Sequence, residues 1–330
     1  MYESTLYFAG RLLYDVERIS KKINRDREEY RVYKELCDIL GEENVLREEP
    51  MRAHTTFRIG GPADYFVTPE SEEQVQAVIA LSRREKIPYY ILGNGSNLLV
   101  GDQGYRGLII QIYKKMSEIR IEDHEIHAQA GALLSKIAAR ALDASLTGFE
   151  FASGIPGTLG GAVMMNAGAY GGEMKHVLKS ATVLTPEGEI QTLTLEELEL
   201  AYRTSIVARK GYTVLSAVIA LDPGKQEEIR AYMEDLKERR VTKQPLEYAS
   251  AGSTFKRPEG YFAGKLIQDS GLRGYSVGDA QISEKHSGFV INRGNATAAE
   301  VLSLIQHVQD TVEEKFGVRL ETEVKRIGEF

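Results

Sequence analysis

The chain has 330 residues, 42% of them hydrophobic, with 41 basic against 48 acidic side chains and a net charge of -7. That length suggests two domains with substantial cores, and the acidic balance argues against a nucleic-acid binder, which needs surplus Lys and Arg to neutralise phosphates. No apolar run approaches the roughly 20 residues of a membrane helix, the opening lacks the basic stretch of a secretory signal, and the single Cys37 leaves no intrachain disulfide or cysteine-based zinc site.

In chain order, apolar residues three or four apart (Leu13, Val16, Ile19, Ile23, Tyr30, Tyr33, Leu36, Leu40) predict helical structure over 11–40, stopped at Gly41. Cys37 falls in this charged helical pattern and is expected to pack passively. From Ala63 strand and helix alternate. A strand is predicted over 63–67, a helix over 71–84 capped by Ser71, strands over 89–92 and 108–112, paired strands within 118–130, and a helix over 133–144. A hairpin over 181–193 turns at Pro186-Glu187-Gly188, followed by a strand over 212–221 and a charged amphipathic helix over 225–241. Beyond it come a strand over 287–292, a helix over 297–316 and a strand over 318–327. Strands outnumber the helices that could cross between them, so a simple doubly wound sheet fits poorly.

Glycine is unevenly distributed. Seven of the nineteen residues from Gly154 to Gly172 are glycine, against an average near 7%. A shorter cluster, Gly93-Asn94-Gly95-Ser96-Asn97, follows the 89–92 strand directly. Without Cβ atoms such turns let backbone N–H groups crowd round a phosphate, and Ser96 and Asn97 add side-chain donors. The run Ser153-Gly154-Ile155-Pro156-Gly157-Thr158-Leu159-Gly160-Gly161 offers the same chemistry on a larger scale. Two such loops suit a dinucleotide or a nucleotide sugar, although either alone would serve as a tight turn between strands. Position 98 is Leu, so Gly-x-Gly-x-x-Gly is incomplete, and no P-loop, His-Glu-x-x-His, metal-spaced histidine set or Gly-x-Ser-x-Gly elbow is present.

The segment from His54 to Asp64, His-Thr-Thr-Phe-Arg-Ile-Gly-Gly-Pro-Ala-Asp, resembles the opening of the UDP-N-acetylenolpyruvoylglucosamine reductase family, flavoenzymes of peptidoglycan precursor synthesis. The family's later motifs follow in order: Gly-Asn-Gly-Ser-Asn-Leu-Leu from Gly93, Ile-Pro-Gly-Thr-Leu-Gly-Gly from Ile155 and Asn-Ala-Gly-Ala-Tyr-Gly-Gly from Asn166. Tyr-Arg-Thr-Ser from Tyr202, Ala-Gly-Ser-Thr-Phe-Lys-Arg-Pro from Ala251, Ala-Gly-Lys-Leu-Ile from Ala263 and Leu-Glu-Thr-Glu-Val from Leu320 complete the set. The resemblance covers about 85% of the chain, from residue 46 onward, and leaves the N-terminal addition unexplained. The short connection around Ser253 is similar to the branch lacking an extra tyrosine-bearing loop (type II).

This resemblance implies an α+β fold: a two-lobed FAD-binding domain of the PCMH/vanillyl-alcohol-oxidase type and a C-terminal α+β substrate-binding domain. The limits it suggests are a helical segment over 1–45, the FAD domain over 46–222 with lobes of about 46–115 and 116–222, and the last domain over 223–330. It implies non-covalent FAD held by Tyr65, Gly93, Asn94, Gly95, Ser96, Asn97, Ser153, Gly154, Pro156, Gly157, Thr158, Gly160 and Gly161, with NADPH as co-substrate. The implied substrate is UDP-N-acetylglucosamine enolpyruvate, contacted by Lys243, Arg257 and Lys265. The implied catalytic set is Ser253 as proton donor, Arg203 as enolate stabiliser and Glu323 as acidic partner. Lys325 stands where many relatives have arginine. No metal is implied, nor membrane insertion; a cytoplasmic monomer is expected. Two other readings stay open at this point: an FAD-dependent sugar or lactone oxidase or dehydrogenase on the same fold, and a catalytically idle sugar-nucleotide sensor.

Overall fold

A computed structural model describes residues 28–330, so the expectation for 11–27 lies outside the described residues. Residues 28–40 are helical, and Val32, Leu36 and Leu40, four apart, are buried along one face. Gly41 ends the helix at φ +86°, its N–H donating to the Cys37 carbonyl at 2.8 Å.

This helix packs on a core that spans two sheets. The first has four strands in the order Val45–Pro50, Pro62–Val67, Tyr105–Gln111, Tyr89–Leu92, the outer pair antiparallel and the rest parallel. Glu72–Glu85 supplies its helix, and Ser71 caps it by accepting from the Gln74 N–H at 3.3 Å. The second sheet is antiparallel, in the order Ile190–Thr194, Leu178–Leu184, Thr213–Ala220, Glu125–Gln129, Ile119–Glu122. Alternate residues such as Ala181, Val183, Leu215, Ala217 and Ile219 turn inward to the core, and the short helix Leu159–Met164 packs on Thr213–Ala220.

A separate core lies under a third sheet, in the order Ala249–Ser253, Phe289–Asn292, Ala280–Ile282, Ser276–Val277. The helix Ala298–Phe316 covers it with Val301, Leu304, Ile305, Val308 and Val312, and a capping box of Thr297 and Glu300 starts that helix. The charged helix Gln226–Lys243 packs beside the helix Leu134–Asp143 and buries little beyond Ile229 and Leu236.

The strand predicted over 318–327 is shorter than expected. Only Lys325–Ile327 is extended, paired in parallel with Leu98–Val100. Before Leu98 the partner is the Gly93–Asn97 turn, which offers no ladder to continue along. The released segment instead crosses to Phe255 through an isolated bridge at Thr322, and this detour carries Glu323 toward the glycine turn.

Candidate active site

The Gly93–Asn97 turn links the strands Tyr89–Leu92 and Leu98–Val100 and faces the segment from Ile155 to Ala162 across a narrow cavity of about 140 Å³. The turn is closely surrounded, and it fits only because side chains are missing. A Cβ on Gly95, which sits at φ +62°, would lie 2.1 Å from the His54 carbonyl oxygen, and one on Gly93 would lie 2.3 Å from Thr158 Oγ1. Asn94 Nδ2 donates to the Pro156 carbonyl at 2.6 Å and ties the walls together. Among the described residues, the backbone N–H groups of Gly95, Ser96 and Asn97 donate to no protein group. Such partly buried orphan donors are what a phosphate oxygen satisfies. Leu134, Ile155, Met164 and Met165 line the rest of the cavity with apolar surface suited to a flat ring system. The residues present therefore fit FAD.

Not every glycine-loop residue faces this space. The Gly160 N–H is taken by the Ala130 carbonyl at 2.8 Å, and a Cβ there would stand 3.0 Å from that of Ala130, so Gly160 is required for packing. Ser153 closes the single turn Glu150–Ala152. Tyr65 stands apart from the cavity: it is 6% exposed in the core beneath the N-terminal helix, where its hydroxyl donates to the Glu29 carbonyl at 3.0 Å and burial pushes the phenol up. The cofactor contact expected of Tyr65 does not match that position, because the alternation of its strand turns it to the core.

Arg203, Ser253 and Glu323 come from three distant segments and meet beside this cavity. Arg203 holds a left-handed backbone, φ +57°, a conformation uncommon outside glycine and asparagine. Its Nε lies 2.8 Å from Glu323 Oε1, with side chains 21% and 13% exposed. The N–H is not aimed along that contact, so the buried Nε makes no directed hydrogen bond; the contact is an ion pair. The guanidinium also lies over the Tyr202 ring at 5.2 Å. Burial pushes the Glu323 carboxyl up, and the neighbouring Arg203 only partly offsets this. The Glu323 backbone is clamped from both sides, its N–H donating to the Thr254 carbonyl at 2.8 Å and its carbonyl accepting from Asn97 Nδ2 at 3.3 Å. Ser253 ends the strand Ala249–Ser253 after a register shift and Gly252 at φ +75°, and its side chain is exposed. The three residues line two larger cavities, of about 480 Å³ toward Gly154, Pro156 and Tyr170 and about 470 Å³ toward Arg257 and Lys265. Arg203 alone of the three also reaches the glycine-walled cavity.

The predicted substrate contacts divide. The Arg257 guanidinium stacks on Phe262 at 3.9 Å, and the Arg257 backbone N–H donates to Tyr202 Oη at 3.0 Å. Lys265, exposed at the rim, pairs with Asp269 at 2.7 Å. Lys243 is exposed at the end of its helix and lines neither large cavity; Arg240 and Gln244 from the same turn do. Lys325 lines the glycine-walled cavity. Sequence reasoning passed over Arg240, Gln244, Arg273, Lys285 and His286, all lining these spaces. The run Lys285-His286-Ser287-Gly288 before a strand was the available signal. Burial holds the His286 imidazole below its usual range, and its Nδ1 accepts from the Gly288 N–H at 3.1 Å. Among the described residues no cluster of three or more His, Cys, Asp or Glu could hold a metal, and no helix is long and apolar enough to cross a membrane.

The chain is similar to known proteins in sequence and fold. Residues 63–194 match the family described as FAD binding domain, and 244–327 match UDP-N-acetylenolpyruvoylglucosamine reductase, C-terminal domain. The UDP-N-acetylenolpyruvoylglucosamine reductase of Agathobacter rectalis is 58% identical over 309 residues, 90% of this chain and 98% of that one. That of Geobacillus thermodenitrificans is 55% identical over 298 residues, again 90% and 98%. The crystal structure of the Thermus caldophilus reductase superposes with a TM-score of 0.73 at 36% identity, covering 86% of this chain and 98% of that one. The expected α+β fold, an FAD-binding domain followed by a C-terminal domain, is thereby shown. The chain belongs to the UDP-N-acetylenolpyruvoylglucosamine reductase family of FAD oxidoreductases.

Proposed function

We propose that the protein reduces the enolpyruvyl ether of UDP-N-acetylglucosamine enolpyruvate to the lactyl ether of UDP-N-acetylmuramate, with NADPH as reductant, in peptidoglycan precursor synthesis. The observation that supports this best is the convergence of Ser253, Arg203 and Glu323 where the glycine-walled cavity meets the two larger ones. Held by Gly93, Asn94, Gly95, Ser96 and Asn97 against Gly157, Thr158 and Gly161, FAD would supply hydride chemistry, drawing on NADPH and delivering to the terminal enolpyruvyl carbon.

The rest falls to the protein. Negative charge develops on the adjacent carbon and spreads into the substrate carboxylate. Arg203 presents its terminal nitrogens there, because its Nε faces Glu323 and Nη1 and Nη2 make no protein hydrogen bond among the described residues. A planar fork suits a carboxylate better than a lysine would. The exposed Ser253 hydroxyl donates the proton to the carbanion; an enolate-like carbon is basic enough that position outweighs the acidity of the donor. Glu323 orients Arg203, and its raised carboxyl keeps its proton to a higher pH than an ordinary glutamate does. We assign Arg257 and Lys265, which line the cavity of about 470 Å³, to contacts with the sugar nucleotide. We place the domain limits at 46–222 and 223–330, and expect a cytoplasmic monomer.

The test is product identity. Purified holoprotein with NADPH and the enolpyruvyl substrate should give one product heavier by two hydrogens, with one NADPH consumed per product. Oxygen consumption driven by a sugar or lactone, without NADPH oxidation, would replace this reading by a flavin oxidase.

A further inference from the structure

Two arginines adjoin in the last turns of the helix Gln226–Lys243 and have opposite surroundings. Arg239 faces solvent and pairs with Asp235 at 2.8 Å. Arg240 turns beneath the Ser153–Gly161 loop, where its Nη1 donates to the Gly154 carbonyl and its Nε donates to Gln244 Oε1 at 3.1 Å. Both acceptors are neutral. Among the described residues no carboxylate lies within ion-pair distance of Arg240, and its Nη2 makes no protein hydrogen bond. The side chain lines the cavity of about 480 Å³ together with Gly154, Tyr170 and Ser253. Burial there penalises the charged form and holds its pKa below the usual arginine range. The loop is also shaped to receive it: a Cβ on Gly154 would come within 3.1 Å of Arg240 Cδ.

A half-buried cation with neutral contacts and a free fork arm lacks a counter-ion, and the cavity it lines is where one can arrive. We propose that Arg240 binds a phosphate of a ligand diphosphate in this cavity through its free Nη2. The proposal deepens the reductase reading and takes the ligand class from it. FAD and the sugar nucleotide both carry a diphosphate, and a guanidinium fork suits either equally.

Arg240→Met removes charge and hydrogen bonds together. Arg240→Gln removes the charge but keeps a donor for the Gly154 carbonyl, so it reports even where the methionine variant folds poorly. Arg239→Met is the control. Two affinities are measured: FAD on reconstitution of the stripped protein, and UDP on the holoprotein by calorimetry at low and high salt. Loss of one charge-assisted phosphate contact should weaken one of them about tenfold or more in both Arg240 variants, with a shallower salt dependence and no change in Arg239→Met. A shift in FAD affinity assigns the cofactor's diphosphate; a shift in UDP affinity assigns the substrate's. Unchanged FAD affinity, with UDP affinity unchanged or absent throughout, would overturn the proposal. Neither measurement needs NADPH or an enolpyruvyl group, so failure of the reductase reading would appear separately, as a holoprotein that binds but does not turn over.

Discussion

On one side of Arg203 the cavity is walled by backbone; on the other it is lined by charged side chains. The glycine-walled cavity is narrow, its donors are peptide N–H groups, and two of its glycines stand where a Cβ would strike a neighbour within 2.3 Å. The larger cavities carry Arg257, Lys265, Arg273, Lys285 and Arg240 on flexible stems. The first site is set by chain path and cannot accept added atoms, whereas the second is set by charge and geometry and is vulnerable to their removal. Substitutions in the two regions should therefore fail differently.

The largest effect is expected on the side-chain side. Ser253→Ala should slow reoxidation of reduced flavin by the enolpyruvyl substrate by roughly 10²- to 10⁴-fold, with reduction by NADPH nearly unchanged, as read by stopped-flow absorbance. Equal losses in both half-reactions would move Ser253 to cofactor binding and blur the division. On the backbone side, Gly95→Ala should cost about 3 kcal/mol and lose FAD, because the new methyl meets the His54 carbonyl oxygen at a positive φ. Denaturant unfolding and the flavin-to-protein ratio check both.

Glu323→Gln probes the junction. Burial raises its folded carboxyl pKa above the unfolded value, so the folded state holds that proton more tightly. The stability this adds is fully present below the ordinary carboxylate pKa and fades as pH rises through the folded value. The parent should thus lose stability across that interval, and the glutamine variant should lack this slope in urea unfolding across the acid range. The smallest effect sharpens the comparison from within the glycine run: Gly171 sits at φ +89° with nothing within 4 Å of a built Cβ. Gly171→Ala should cost only the left-handed backbone penalty, about 1–2 kcal/mol, and keep its FAD.

Much of this division was legible in the sequence. Glycine clustering after a strand needs only local composition, and Gly41 and Ser71 marked helix ends through local capping chemistry. The short strands Leu98–Val100 and Ala280–Ile282 left too few residues for a period. The end of the predicted 318–327 strand depended on a partner 227 residues away, since Lys325 pairs with Leu98. Tyr65 was assigned by motif proximity, but strand alternation directs it into the core. Arg240 and Lys243 are nearly indistinguishable in sequence. Arg240 reaches beneath the loop, whereas Lys243, at the last position of the helix, is exposed.

The central claim, that hydride chemistry on the backbone-built side is coupled to a proton delivered from the side-chain side, is tested most directly by one anaerobic visible spectrum of the holoprotein. NADPH should bleach the yellow flavin, and UDP-N-acetylglucosamine enolpyruvate should then restore it without oxygen. Bleaching with no recovery on adding the enolpyruvyl substrate would contradict the account.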